Sequence, residues 1–150
     1  SPKVATYDLA PAMSSHLLTE RLVKAIMDQK YDFICVNYAN ADMVGHSGRI
    51  APAIKAVEAI DECLGKIYNK IKEHNDILLI SSDHGNVEQM FDFYNKTSHT
   101  SHTTNPVPFV LVGYNAKLNK GNLSDIAPTI LEILNIAKPE KMTGNSLIKV

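Results

Sequence analysis

Apolar positions alternate with polar ones in two distinct rhythms along the chain. Leu17, Leu18, Leu22, Val23, Ile26 and Met27 recur at helical spacing just after Ser14 and Ser15. That stripe predicts an amphipathic helix starting there, with a serine hydroxyl placed to accept an orphan N–H. Residues 1–13, with Pro2 and Pro11, show no such period and read as an extended lead-in. A second helix is predicted over about 50–73. Ile50, Ala53, Ile54, Val57, Ile60, Leu64, Ile67, Tyr68 and Ile71 form its apolar side, and Lys55, Glu58, Glu62, Lys66, Lys70 and Lys72 its solvated face. A third runs from a Ser124 cap to about Asn135, with Pro128 tolerated in the first turn.

Between these lie short apolar runs of strand length: 32–37, 77–80 and 107–112. Pro106 and Pro108 place the start of the last at an edge or a bend. Asn37–Gly48 and Ser81–Asn86 are rich in Gly, Asn and Asp and read as loops, and residues 92–105 as polar and irregular. Met142–Leu147 reads as a turn leading into a short extended piece. Helix and strand alternate, which predicts an α/β fold with parallel strands joined by helical crossovers.

At 150 residues the chain suits one domain, and a hydrophobic content of 45% allows a sizeable core. A formal net charge of -1 argues against nucleic acid or a membrane surface as the main partner, since both favour a basic face. No segment has the length of a signal peptide or a membrane span. Cys35 and Cys63 sit among apolar neighbours and read as two small buried hydrophobes in a reducing cytoplasm. The first residue is serine, so either a segment was removed or the chain is a piece of a longer protein.

The residues that could carry chemistry fall just past strand ends, where ligands bind in open α/β sheets. Asp42 and His46 follow the run at 32–37. Asp83 and His84 follow the run at 77–80. His102, with His99 three residues before it, precedes the run at 107–112. Two carboxylates with three or four imidazoles suit a divalent transition ion such as Mn²⁺ or Zn²⁺ better than Ca²⁺. They exceed what one tetrahedral site needs and fall short of two closed sites. A pair of ions completed by outside ligands, clamping a phosphoryl group, accounts for the number. His74, at a helix C-terminus, is placed to favour the helix dipole.

The blocks Asn37–Gly48, Ser82–Met90 and His102–Pro108 resemble signatures of the 2,3-bisphosphoglycerate-independent phosphoglycerate mutases of the alkaline phosphatase superfamily. Leu123–Thr129, Met142–Leu147 and Ser1–Asp8 are similar to further stretches of that family. The resemblance implies a three-layer αβα fold with a mostly parallel sheet, of alkaline-phosphatase type and incomplete in this chain. Residues 1–150 would then be the C-terminal segment of the metal-binding phosphatase domain, without its N-terminal segment or the inserted transferase domain. It further implies Asp42, His46 and His102 on one Mn²⁺ and Asp83 and His84 on a second, with His102 favoured over His99 by its Thr-Thr-Asn-Pro context. Zn²⁺, Co²⁺ and Mg²⁺ are alternatives. The serine nucleophile and an aspartate would come from upstream, leaving no catalytic residue in this chain and no activity for it alone. The parent would be a cytoplasmic monomer that acts on phosphoglycerate.

Overall fold

A computed structural model describes residues 1–149. They form two units, the first Ser1–Gly113 and the second beginning at Tyr114. In the first, helices α1 (Ser15–Met27), α2 (Asn40–Gly45) and α3 (Ile50–His74) precede strand β1 (Leu78–Ser81), a hairpin of β2 (Phe91–Asp92) and β3 (Thr97–Ser98), and β4 (Phe109–Val112). The second holds β5 (Lys117–Leu118), a 3₁₀ turn at Leu123–Asp125, α4 (Ile126–Ile133) and β6 (Ile148–Lys149).

The long helix α3 is the spine of the first unit, and the face it buries differs from the expected stripe. Ala53, Ala56, Ala59, Cys63, Ile67 and Ile71 are buried, whereas Ile50, Ile54, Val57 and Tyr68 are exposed. The cause is side-chain size. Three alanines and a cysteine let neighbouring backbones approach closely, so the helix turns its small residues inward. One core cluster joins Ile26 of α1 to Ile67 and Ile71, with Leu22, Tyr38, Leu64 and Leu78 against it. The other joins Val44 of α2 to Ala53 and Ala56, with Tyr7, Val87 and Met90 around them. Each of the large buried side chains here, Ile26, Val44, Ile67 and Ile71, contributes about 1.5–3 kcal/mol.

The expected strand at 32–37 carries no ladder, and Phe33, Ile34 and Val36 are exposed. Cys35 on the same stretch is exposed, contrary to expectation, while Cys63 is buried. The stretch is tethered at its end instead. The Tyr38 hydroxyl lies 2.6 Å from Thr19 Oγ1, which itself donates to the Ser15 carbonyl at 2.8 Å, so Tyr38 is the donor. Burial pushes the Tyr38 phenol above its ordinary value.

Every ladder among the described residues is antiparallel, where parallel pairing was expected. β1 pairs with β4 in the register Leu78↔Val112 to Ser81↔Phe109. The chain between them doubles back instead of crossing over through a helix, and this is what reverses the sense of pairing. The excursion also contains the β2–β3 hairpin in the region read as irregular. Its turn is held by Asp92, whose carboxylate accepts from the backbone N–H of Tyr94 and Asn95 at 2.9 and 3.0 Å. Those bonds set the Asp92 carboxyl below the usual carboxylate range.

In the second unit Asp125, not the expected Ser124, organises the start of α4. Its carboxylate accepts from the N–H of Asn122 and of Asn145, both at 2.8 Å, which lowers its pKa. Pro128 falls in the first turn, as read. The short extended tail pairs as β6 with β5. Thr129 is fully buried; its hydroxyl donates to the Asp125 carbonyl at 2.7 Å and accepts from Leu147 N–H at 2.9 Å. Thr129→Val keeps the volume but strands that N–H, and is expected to cost about 1–3 kcal/mol in a denaturant melt. A loss under about 0.5 kcal/mol would show that the bond contributes little.

Candidate metal centre

Antiparallel pairing puts the C-terminal end of β1 and the start of β4 at the same edge, so the residues beyond them meet. An isolated bridge between Gly85 and Thr103 extends the contact, with Thr103 N–H donating to the Gly85 carbonyl at 2.9 Å. This brings Asp83 and His84 to the loop that carries His102. The third contributor is α2, a helix within the stretch read as loop. Its Asn40 side chain donates to the Pro11 carbonyl at 2.9 Å, and Val44 anchors it in the core. Asp42 and His46 are one turn apart, so they share a face.

The Asp42 carboxylate is the hub. Its Oδ1 lies 3.1 Å from His46 Nε2, 3.0 Å from His102 Nε2 and 3.9 Å from His84 Nε2. His46 Nε2 and His102 Nε2 are 3.2 Å apart. Asp42, His84 and His102 each offer a ligand atom within 4.8 Å of the others. The His84 and His102 rings stack with centroids 3.6 Å apart. Asp83 stands to the side: its side chain is 85% exposed, and its nearest partner in the group is His84 Nε2 at 3.6 Å.

Two donors each roughly 2.1 Å from one ion, and about 90–110° apart, lie roughly 3.0–3.4 Å from each other. The triangle Asp42–His46–His102 has that edge length on every side. Two backbone carbonyls also settle the tautomers. His46 Nδ1 is 2.7 Å from the Thr100 carbonyl and His84 Nδ1 is 3.2 Å from that of Gly85. A carbonyl only accepts, so each Nδ1 carries a proton, which leaves Nε2 as the atom of each ring that would meet an ion in the cluster. One carboxylate and three imidazoles gathered this closely fit a divalent transition ion.

His99 is not part of the cluster. Its backbone N–H donates to the Met90 carbonyl at 3.0 Å, continuing the hairpin. His74 lies in the last turn of α3 and His16 beside Cys63, 3.8 Å from its sulfur. Three serines near the cluster spend their hydroxyls on carbonyls: Ser47 on Val44 at 2.6 Å, Ser82 on His84 at 2.7 Å and Ser81 on Pro108 at 3.1 Å.

Asn86, which sequence reading did not single out, orients the hub. It is buried, and its Nδ2 donates to Asp42 Oδ1 at 2.8 Å and, more weakly, to the Asp42 carbonyl at 3.3 Å. Its own Oδ1 is buried without a partner and faces Gly45. No local pattern marks it in the sequence, because its partner Asp42 lies 44 positions away.

The chain belongs to the metalloenzyme superfamily, which it matches over residues 1–138. Within that class it is similar to 2,3-bisphosphoglycerate-independent phosphoglycerate mutases. It is 57% identical over 150 residues to that of Ehrlichia ruminantium strain Gardel, 58% over 149 to that of Wolbachia pipientis wMel, and 52% over 149 to that of Acetivibrio thermocellus. In each comparison 99% of this chain is covered, against 30%, 29% and 29% of the relative's length, so the chain spans less than a third of each. A crystal structure of Leishmania mexicana phosphoglycerate mutase at low cobalt concentration superposes with a TM-score of 0.90 at 30% identity, over all of this chain and 30% of that one. The α/β fold of alkaline-phosphatase type stands on that superposition.

A methyl group at Gly45 would press on the Asn86 amide and come within 3.0 Å of Val87 Cγ1, whereas at Gly65 in α3 it would meet nothing within 4 Å. Gly45→Ala is therefore expected to destabilise the protein by about 1–3 kcal/mol. Gly65→Ala should stabilise it by about 0.5–1 kcal/mol. Equal effects of the two in a thermal melt would refute the close approach at Gly45.

Proposed function

We propose that this chain is the C-terminal segment of the metal-binding phosphatase domain of a 2,3-bisphosphoglycerate-independent phosphoglycerate mutase. The parent interconverts 3-phosphoglycerate and 2-phosphoglycerate through a phosphoserine intermediate, and acts as a cytoplasmic monomer with no nucleic-acid or membrane partner. Among the described residues no helix is long and apolar enough to cross a membrane.

In this reading Asp42, His46 and His102 hold one ion. Asp83 and His84 contribute to a second, completed by an aspartate and the serine nucleophile from outside these residues. The observation that carries it is the triangle of 3.0, 3.1 and 3.2 Å edges. The wide exposure of Asp83 supports its turning to another ion. Both ions are Mn²⁺ in this reading, with Zn²⁺, Co²⁺ and Mg²⁺ as alternatives; bound there, they would offset charge on the serine oxygen and on the phosphoryl group. The protein's part is to hold three imidazoles and two carboxylates in place before the substrate arrives. The chain alone has no mutase turnover, because nucleophile and glycerate site lie elsewhere in the parent.

The test uses the entire natural reading frame, assayed for isomerisation with added Mn²⁺ and without 2,3-bisphosphoglycerate. His102→Ala and Asp83→Ala are each expected to lower turnover by roughly 100-fold or more, as loss of several kcal/mol of charge stabilisation requires. A chelator should abolish activity and Mn²⁺ restore it. Release of free phosphate without isomerisation would assign the protein instead to the phosphohydrolases of the same superfamily.

A further inference from the structure

One carboxylate near the cluster is used by nothing described so far. Glu88 lies beyond the Asp83–His84 loop, with its side chain facing back. Its Oε2 accepts from the backbone N–H of Asn86 at 2.6 Å. Its Oε1 accepts from the Thr103 hydroxyl and from Asn105 Nδ2, the latter at 3.0 Å. The two oxygens thus grip both sides of the edge. On one side is the residue whose side chain holds Asp42. On the other are Thr103, the immediate neighbour of His102, and Asn105 two residues further on.

We propose that Glu88 is a positioning residue for the metal centre: its carboxylate latches the loop bearing Asp83 and His84 to the loop bearing His102, and so sets the reach of His102 Nε2 to Asp42 and His46. The proposal rests on the reading that this cluster takes a divalent cation. Gly85 marks the closeness of the latch, because a side chain there would collide with both the Glu88 carboxylate and the Thr103 hydroxyl. Donors converging on an ionised carboxylate make stronger bonds than neutral pairs do. Burial alone would push the Glu88 carboxyl up, but the bonds from Thr103, Asn105 and the backbone outweigh it and hold the group below its ordinary value.

The geometry also says why a carboxylate is needed. Three donors arrive from two directions, so both oxygens must accept. Glutamine matches the shape but presents an NH₂ group to one set of donors, which breaks one side of the latch and leaves the rest of the fold in place.

The experiment compares wild-type protein and Glu88→Gln, each as the entire natural reading frame. Both are stripped of metal and titrated with Co²⁺ as the probe, reading the visible d–d spectrum and the dissociation constant. Glu88→Gln should weaken Co²⁺ binding by roughly 10–100-fold, the usual range for partners that orient ligands, with an altered spectrum. Activity should be recovered in large part at saturating Mn²⁺. A wild-type dissociation constant and spectrum in Glu88→Gln would overturn the proposal, even if the metal-free variant melts at a lower temperature. Should Glu88→Gln fail to fold, Asn105→Ala decides: it removes one donor from the same carboxylate, a weaker Co²⁺ affinity supports the latch, and an unchanged one overturns it. Failure of the mutase reading is seen separately, as wild-type protein that binds Co²⁺ but does not isomerise 3-phosphoglycerate.

Discussion

The Asn86 amide bonded to the Asp42 carboxylate joins α2 to the loop after β1, and the candidate centre is assembled around that contact. Asp42 Oδ1 receives the amide at 2.8 Å and has two histidine nitrogens at 3.0 and 3.1 Å. A free carboxylate on a short helix would rotate among several rotamers. Here one oxygen is aimed by a buried side chain that packs beside a core residue. Val44 and Val87, in one apolar cluster, carry that aim down to α3. The stability of the core and the geometry of the centre are therefore the same problem at this point.

The second constraint is topological. Because β1 and β4 run in opposite directions, residues 83–84 and 102 reach one edge without a crossover helix. Closing a loop of this size costs conformational entropy that grows only slowly with its length. Once closed, it is fastened by the Gly85–Thr103 bridge and by the hydrogen bonds of Glu88. Backbone carbonyls from both flanks orient the imidazoles, so the hydrogen bonds that shape the loops also prepare the ligands.

Much of this was legible in the residues. Helical spacing located α1, α3 and α4, and the apolar runs located β1 and β4. The clustering of Asp and His after predicted strands marked the residues that converge. Other features were not legible because they depend on partners distant in sequence. The run at 32–37 has the composition of a buried strand, yet a strand exists only where another backbone lies beside it. Which side of α3 faces inward followed from the size of Ala53, Ala56 and Ala59, and hydropathy alone ranks Ile54 and Val57 above them. Asn86 and Glu88 read as ordinary polar loop residues, because hydrogen-bond partners 44 and 17 positions away leave no periodic trace.

The hairpin of β2 and β3 leads the chain out and back between the two halves of the latch. At its tip Phe93 and Tyr94 are 85% and 93% exposed, and its turn is closed by Asp92. The base is fixed, and at the tip Phe93 leans edge-on against Phe91, with ring centroids 5.1 Å apart. A segment of that kind is a natural seam for variation: lengthening, shortening or grafting at the tip changes the surface while the ligand-bearing loops beneath remain clamped.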